Sequence, residues 1–195
     1  MSRSTTIPLL IASFAADGEA TQRAAIERLR ALGPAAVTAL RSALESPQVR
    51  VRAWAAEALG ALGAHSAVRD LAAATRDPAM SVRLHALRGL VALRARTTAR
   101  AIRALLDDPS GGVRVNAIDA CADLALRAAG PRLIAALADE KWYVRQRAAV
   151  ALGVLRIGAA APALRRSSDD QRLAVRIAAA DACAALEARP RRPRP

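Results

Sequence analysis

The chain has 195 residues, and 30 Lys and Arg against 17 Asp and Glu give it a formal net charge of +13. Hydrophobic residues make up 53% and aromatic residues only 2%. This balance excludes a disordered chain and favours a core of closely packed, Ala-rich helices. The sequence contains no uncharged apolar stretch as long as a membrane-spanning helix, so we expect no membrane partner.

The first predicted helix covers residues 7–16, IPLLIASFAA. Its apolar residues Ile7, Leu10 and Phe14 recur at helical spacing, so they share one face. A short apolar segment that follows an Arg is also typical of a signal-peptide core. The three residues coincide, however, with apolar positions that recur further along the chain. We therefore interpret the segment as the first helix of a repeat.

A unit of 31 residues, marked by a Val-Arg pair, recurs along the chain. We number positions in each repeat from this Arg, which is Arg52, Arg83, Arg114, Arg145 and Arg176. Position +3 is always Ala and position +10 is always Leu, and an earlier copy fits with Gln22 in place of the Arg. Six repeats are therefore predicted, at residues 7–33, 34–63, 64–95, 96–129, 130–158 and 159–188.

Each repeat is predicted to form two helices. Apolar residues at −1, +3, +7 and +10 define one helical face, and a second apolar set lies upstream at −15, −12 and −8. A Ser-Pro or Asp-Pro step between the two sets is typical of a residue that caps and starts the second helix. A single hairpin cannot bury its apolar face alone. The sequence therefore predicts an all-α protein, a right-handed α-solenoid of about six stacked hairpins.

The blocks DPSGGVRVNAIDACADL and DEKWYVRQRAAVALGVL resemble the HEAT repeat. The 31-residue length is similar to the short HEAT-like class that is related to phycobilin-lyase subunits. The resemblance spans nearly the whole chain and implies a ladder of hydrogen bonds between the Asp at −6 and the Arg of neighbouring repeats. Gln22 and Ser46 depart from this pattern, which implies a weaker ladder near the start. The implied ladder residues are Arg52, Asp77, Arg83, Asp108, Arg114, Asp139, Arg145, Asp170 and Arg176.

Motifs of an enzyme or of a metal site are not found in the sequence. The two histidines, His65 and His85, are not followed by Glu, which excludes the paired His-Glu motifs of metal-dependent HEAT enzymes. Cys121 and Cys183 both occupy core position +7, two repeats apart, a separation of roughly 20 Å that is too long for a disulfide. We expect a non-enzymatic protein of the cytoplasm, with reduced thiols, no metal and no cofactor.

The second helices are predicted to line the concave side of the solenoid. On each second helix, positions −3, −2, +1, +5 and +8 lie on the side opposite the core. Most residues at these positions are apolar, whereas a solvent-exposed face would carry Lys and Glu. Exposed apolar surface marks interaction sites, with Trp, Tyr and Arg as favoured anchors. We therefore expect a scaffold or adaptor that binds a protein partner here. The candidate contacts are Trp54, Leu84, His85, Arg88, Val115, Trp142, Tyr143, Arg147, Val150 and Ile177.

Two alternatives remain open from the sequence. Arginines on the first helices, together with the basic residues 189–195, RPRRPRP, favour a nucleic-acid-binding protein whose affinity falls with salt. We expect this terminal segment to be disordered, because its prolines exclude a helix. The resemblance to lyase subunits implies a chaperone for a prosthetic group as a further alternative. A monomer is the expected oligomeric state.

Overall fold

A computed structural model describes residues 3–16 and 18–188, and within these ranges the regular structure consists of helices only. Twelve α-helices alternate as the first and second members of successive hairpins, so the prediction of an all-α fold is confirmed. The predicted tail at 189–195 lies outside the described residues. The helices are α1 (Arg3–Ala12), α2 (Glu19–Leu32), α3 (Pro34–Ala43), α4 (Val49–Ala61), α5 (Val68–Ala74), α6 (Met80–Ala92), α7 (Ala99–Ala104), α8 (Gly111–Asp123), α9 (Gly130–Ala135), α10 (Trp142–Val154), α11 (Ala161–Ser167) and α12 (Leu173–Glu187).

The chain forms two compact units, unit 1 at residues 1–102 and unit 2 at residues 103–195. In unit 1, the second helices α4 and α6 lie side by side, and the first helices α3 and α5 each pack against the second helix of their own hairpin. In unit 2, α8, α10 and α12 pack in succession. Each unit is therefore a stack of helical hairpins with its second helices in direct contact.

The core of each unit is built from the recurring positions. The Val at −1 and the Ala at +3 are buried in every repeat that carries the Val-Arg pair. At +7, Leu59, Leu90, Cys121 and Leu152 are fully buried. Burial of each large aliphatic side chain contributes about 1.5–3 kcal/mol. The helical periodicity of the sequence thus predicted most of the core, including Phe14, which is buried in the turn after α1, whereas Val37, Leu44 and Cys183 are only half-buried.

The second helices approach closely enough to require glycine. A Cβ added at Gly60 of α4 would lie 2.5 Å from the Cα of Gly89 in α6, and a Cβ at Gly89 would lie 2.9 Å from the Ala56 carbonyl oxygen. In unit 2, a Cβ at Gly153 would lie 3.0 Å from the Cα of Ala182. The prediction that position +8 belongs to the exposed face is therefore wrong at Gly60 and Gly153, which are buried between helices.

The second helices begin at −3, which is two residues after the proline in α4, α6 and α8, and not at the Asp-Pro or Ser-Pro step itself. The predicted role of the Asp as the capping residue is therefore wrong in detail, because the residue before the helix is at −4 and makes no side-chain capping bond. The Asp carboxylate instead accepts the N–H of the residue two positions later, at 2.8 Å in the turn from Asp77 to Ala79. This bond shapes the turn from which the helix starts.

A residue with a left-handed backbone conformation, at +11, follows every second helix from α2 to α10 and leads the chain into the next repeat. Its φ is 70° at Gly33 and 68° at Gly63, but non-glycine residues occupy the same position later, with φ of 51° or 52° at Arg94, Ala125 and Arg156. A residue with a Cβ is strained in this conformation by about 1–2 kcal/mol. The turn geometry is therefore kept even where the sequence loses its glycine.

Candidate functional site

The ladder arginines join neighbouring hairpins within each unit. Arg145 donates from Nε and Nη2 to the Asp170 carboxylate at 2.7 and 3.0 Å. Its Nη1 donates to the carbonyl of Asp139, at 2.9 Å, in the turn before its own helix. Arg114 with Asp139, and Arg52 with Asp77, repeat this bidentate geometry at 2.8–3.0 Å. Each of these arginines holds its own turn and the turn of the next hairpin at once.

These contacts keep the carboxylates ionised. The hydrogen bond from Arg145 holds the pKa of Asp170 below its ordinary value, and the N–H of Arg172 acts in the same direction. For Asp77, burial raises the pKa, but the hydrogen bonds from Arg52 and from the Ala79 N–H outweigh it and the pKa is lowered. The carboxylate oxygens are occupied by these donors. These three pairs therefore act as structural links between neighbouring hairpins.

Arg176 departs from the other ladder arginines. Its Nη1 donates to the carbonyls of Asp170 at 2.8 Å and Gln171 at 3.3 Å, as in the other repeats. Among the described residues, no carboxylate faces its Nε and Nη2. Within the described ranges, Arg176 therefore makes the contacts with its own turn but not the carboxylate contact that Arg52, Arg114 and Arg145 make with the next hairpin.

A second group of arginines binds the carboxyl ends of second helices. Arg30 donates to the Ala61 carbonyl at 2.8 Å, and Arg127 donates to the Leu155 carbonyl at 2.6 Å. Cations at helix C-termini are favourable because the last carbonyls lack helical partners. The sequence interpretation missed these contacts, since the donors occupy different positions in their repeats and leave no periodic signal. Part of the arginine excess is thus used inside the fold.

Unit 1 brings three of the predicted contact residues, Trp54, His85 and Arg88, to one cavity. Trp54 and His85 meet edge to face, with ring centroids 5.1 Å apart. His85 Nδ1 donates to the Ala53 carbonyl at 3.1 Å and lies 3.9 Å from a Glu57 oxygen. Leu84 is half-buried and Arg88 is exposed. His85 therefore contributes mainly to packing between α4 and α6.

A cavity of about 290 Å³ lies beside this cluster, between α2, α4 and α6. Its lining combines acidic Glu19 and Glu27 with basic Arg23 and Arg88 around the Trp54 ring. Burial lowers the pKa of His85, although the Glu57 carboxylate acts in the opposite direction. The imidazole is therefore neutral at pH 7. The mixed charges of this cavity select no one class of ligand.

Unit 2 presents an apolar stripe along α10. Tyr143, Arg147, Val150 and Val154 follow one another at spacings of four, three and four residues, so they lie on one face of the helix. Val150 and Val154 are 40% and 63% exposed. Arg147 Nε lies 3.3 Å from an Asp119 oxygen on α8. We call these four residues the α10 stripe.

The α10 stripe differs from the same positions of the other second helices. At +5, where α10 has Val150, the other repeats with the Val-Arg pair carry a charged residue: Glu57, Arg88, Asp119 or Asp181. At +9, where α10 has Val154, three repeats have Ala and one has Asp. The apolar character of this surface is therefore specific to one helix and is no general property of the repeat.

Aromatic residues extend the α10 stripe at its start. Trp142 meets Tyr143 edge to face at 5.9 Å, and both rings are well exposed, at 40% and 38%. A Cβ at Gly111 of α8 would lie 2.6 Å from the Tyr143 hydroxyl oxygen. The missing side chain of Gly111 thus makes room for the Tyr143 ring across the start of α8.

The structure divides the ten candidate contacts between the two units. Trp54, Leu84, His85 and Arg88 lie in unit 1, and the other six lie in unit 2. Of these six, Val115 is half-buried, whereas Ile177 is 53% exposed on α12. Val154 is an exposed apolar residue of α10 that the sequence interpretation did not include. Its position, +9, lies one residue beyond the positions assigned to the face.

The described residues contain no cluster of three or more His, Cys, Asp or Glu side chains suited to a metal ion. Within the same part of the chain, every helix is too short or too polar to cross a membrane. Cys121 and Cys183 are both free thiols. Burial raises the pKa of the Cys121 thiol to about 12, which makes it a poor nucleophile.

Comparison with known proteins was made for families, curated sequences and solved structures. A family model described as HEAT repeats matches residues 7–80 and 68–153. No curated protein matches the chain. Among solved structures, the complex of CpcE and CpcF of phycocyanin lyase from Nostoc sp. PCC7120 is similar at 24% identity and a TM-score of 0.67, over 77% of this chain and 65% of that chain. This chain therefore spans less than two thirds of that relative.

A designed armadillo repeat protein in complex with the peptide (KR)4 is also similar in structure. It has 18% identity and a TM-score of 0.67, over 93% of this chain and 99% of that chain. At these identities the two structures show the fold alone. Both are consistent with the α-solenoid fold class that the repeat pattern predicted.

Proposed function

We propose that this chain, which belongs to the HEAT repeat family, is a non-enzymatic interaction module whose α10 stripe binds a protein partner. The partner would supply a segment whose apolar side chains contact Tyr143, Val150 and Val154. Its acidic residues would be attracted by the net positive charge of this chain. HEAT-like repeats are a common architecture for such binding, because stacked hairpins present an extended surface. The fold by itself does not define a function, so the proposal depends on the α10 stripe.

The observation that carries the proposal is the apolar exposure of α10. A soluble protein exposes single apolar residues without consequence, whereas a continuous apolar patch marks an interaction surface. The α10 stripe combines three apolar or aromatic side chains with an arginine, and Trp142 adds a second exposed ring. Trp, Tyr and Arg are the residues that contribute most to protein interfaces. An amphipathic helix or an extended segment fits a surface of this kind.

Charge supports an acidic partner segment. The net charge of +13 attracts acidic segments and repels basic ones at physiological ionic strength. The designed armadillo protein that is similar in fold was solved with a basic peptide, (KR)4. We expect the opposite preference in this chain, since Asp119 already neutralises Arg147 and the surface retains a large basic excess.

Apolar burial is sufficient for moderate affinity. Covering the valines and the tyrosine of the α10 stripe contributes about 1.5–3 kcal/mol for each fully buried side chain. Their partial exposure reduces this gain, and association entropy opposes it. A dissociation constant of about 1–100 µM therefore follows for a short segment. Such affinity is typical of a transient adaptor and is easily measured.

The proposal is tested by selecting peptides from a displayed random library against the folded chain. We expect selected peptides that combine apolar and acidic residues, with binding reduced at least about tenfold by Val150→Asp. Val49→Asp is the matched control, because Val49 is a valine with the same 40% exposure on α4 of unit 1. The peptide (KR)4 serves as the basic control. Peptides that bind both variants equally would contradict the proposed site.

Nucleic-acid binding is distinguished by a second measurement. Arg69, Arg100, Arg165 and Arg166 are exposed on the first helices. Fluorescence anisotropy of labelled duplex DNA at about 0.15 M salt, a physiological ionic strength, reports this mode directly. We expect weak binding that Val150→Asp does not change. Submicromolar binding that Arg165→Ala and Arg166→Ala abolish would replace the protein-binding proposal.

A reducing compartment such as the cytoplasm completes the proposal. The two cysteines are free thiols in the fold, as expected for a protein that is not stabilised by disulfides.

A further inference from the structure

The structure assigns a conformational device to unit 1: we infer that the hairpin of α1 and α2 detaches from the hairpin of α3 and α4 while the other helices stay folded. We call these two hairpins hairpin 1 and hairpin 2. The open state exposes the half-buried Trp54 ring, because α2 encloses one side of the cavity beside it. The inference does not depend on the α10 stripe, which lies in unit 2.

The ladder contact that joins neighbouring hairpins elsewhere is missing between hairpin 1 and hairpin 2. Gln22 takes the place of the ladder arginine, and its Nε2 donates to the Ala16 carbonyl at 2.5 Å in the turn before its own helix. Ser46 takes the place of the aspartate, and its hydroxyl oxygen accepts the N–H of Gln48 at 3.2 Å. Among the described residues, no hydrogen bond connects Gln22 with Ser46. Each turn thus keeps its internal contact, but the bidentate pair between the hairpins is lost.

The Gln22 amide is buried without its full set of hydrogen bonds. The residue is completely buried, and its Oε1 atom has no hydrogen-bond partner within the described ranges. A buried acceptor without a partner destabilises the packed state, because water binds the same atom once the hairpin opens. At the same position of later repeats, Arg114 and Arg145 stabilise the packed state instead, by binding an aspartate of the next hairpin.

The second helices of hairpin 1 and hairpin 2 also lack a close crossing of the kind seen further along the chain. At +8, where Gly60 and Gly153 allow the next helix to approach, α2 carries Arg30. Its exposed guanidinium donates to the Ala61 carbonyl at the end of α4. The cavity of about 290 Å³ beside Trp54 lies between α2, α4 and α6. Atoms that line such a gap lack packing contacts on one side, so this junction is easier to separate.

The hairpin of α11 and α12 provides a comparison within the same chain. It is the last hairpin that the structure describes, as hairpin 1 is the first. Arg145 binds Asp170 at its junction, and Gly153 allows α12 to lie close to α10. We expect this hairpin to stay attached. A difference between the two hairpins therefore reports the contacts at each junction and not a general loosening of outer hairpins.

Hydrogen–deuterium exchange of the full chain at pH 7, followed by mass spectrometry of peptic peptides, tests the inference. Amides of α2 should exchange at least about tenfold faster than amides of α4 and of α12. In low concentrations of urea, the exchange rate of α2 should rise less steeply than that of α4, because opening one hairpin exposes less surface than unfolding the whole unit. Exchange of α2 that is no faster than that of α4 or α12, or that has the same urea dependence as α4, would overturn the inference.

A restored ladder pair should close the junction. Gln22→Arg combined with Ser46→Asp should slow the exchange of α2 at least about tenfold, as expected for one bidentate charged pair. The two single variants are matched controls, because each supplies only one partner; tenfold slowing by either one alone would contradict the role of the pair. Val150→Asp should leave the exchange of α2 unchanged, which separates this inference from the proposed function.

Circular dichroism establishes that the double variant is folded. A folded double variant whose α2 exchanges as fast as in the unmodified chain would also overturn the inference. The comparison of α2 with α4 and α12 needs no variant, so it decides the inference if the double variant does not fold.

Discussion

A comparison of two arginines measures what the ladder contributes to stability. Arg145→Ala removes the bidentate contact with Asp170 and the carbonyl contacts with the preceding turn. Arg176→Ala removes the same type of carbonyl contacts but no carboxylate contact among the described residues. Both arginines occupy the same position of consecutive second helices in unit 2. The difference between the two variants therefore isolates the contact between hairpins.

The magnitude follows from the burial of the pair. The side chains of Arg145 and Asp170 are only 17% and 11% exposed, so Arg145→Ala leaves a poorly solvated carboxylate. Removal of one partner from a buried ion pair costs about 3–5 kcal/mol. Loss of the carbonyl contacts, common to both variants, costs about 1–2 kcal/mol. The common cost cancels in the comparison, and the partial exposure of the pair reduces the buried-pair figure, so we expect Arg145→Ala to lower the free energy of unfolding by about 2–3 kcal/mol more than Arg176→Ala does.

Urea denaturation at pH 7 measures this difference in unit 2 directly. Each unit contains one tryptophan, so Trp142 fluorescence reports on unit 2 when Trp54→Phe removes the other signal. Far-ultraviolet circular dichroism follows the helices in parallel. Equal destabilisation by the two arginine variants, within about 0.5 kcal/mol, would refute the argument that the carboxylate contact joins the hairpins.

Three further predictions concern single positions. The pKa of Asp170 is lowered in the folded state. Its contribution to stability is therefore present above about pH 4, where an unfolded Asp is ionised, and is lost as the pH falls through the folded-state pKa. On acid titration, Arg145→Ala should lose less free energy of unfolding than the unmodified chain does. Ala125→Gly should stabilise unit 2 by about 0.5–1 kcal/mol, and Gly63→Ala should destabilise unit 1 by about 1 kcal/mol, because both positions are left-handed; thermal melting compares them. Iodoacetamide at pH 8 should label the partly exposed Cys183 well before the buried Cys121, as mass spectrometry of tryptic peptides will show, and faster labelling of Cys121 would contradict its burial.

The recurring part of the fold is predictable from this one sequence. Positions that are identical in every repeat with the Val-Arg pair, such as the Val at −1 and the Ala at +3, are buried in all of them, so their burial follows from periodicity alone. Five occurrences of one position show which residue type the packing requires, and that requirement was read correctly for the core.

Features that depend on the distance between helices were not predictable in this way. The sequence gives the direction of a side chain around its helix but not how closely the next helix approaches. Gly60 and Gly153 were therefore assigned to an exposed face, although they lie at helix crossings. The start of the second helices was misplaced for a related reason, since the Asp-Pro step has the composition of a helix cap but forms the turn before it. The arginines at helix C-termini left no periodic signal.

The candidate sites follow from departures within the repeat. A residue that matches its equivalents in the other hairpins is explained by stacking, so it carries no information about a partner. Val150 stands where the other hairpins have a charged residue, and Arg28 stands where they have Ala or Gly. The first departure creates an apolar surface and the second prevents stacking at one helix. The α10 stripe is therefore the part of the described surface that stacking does not explain.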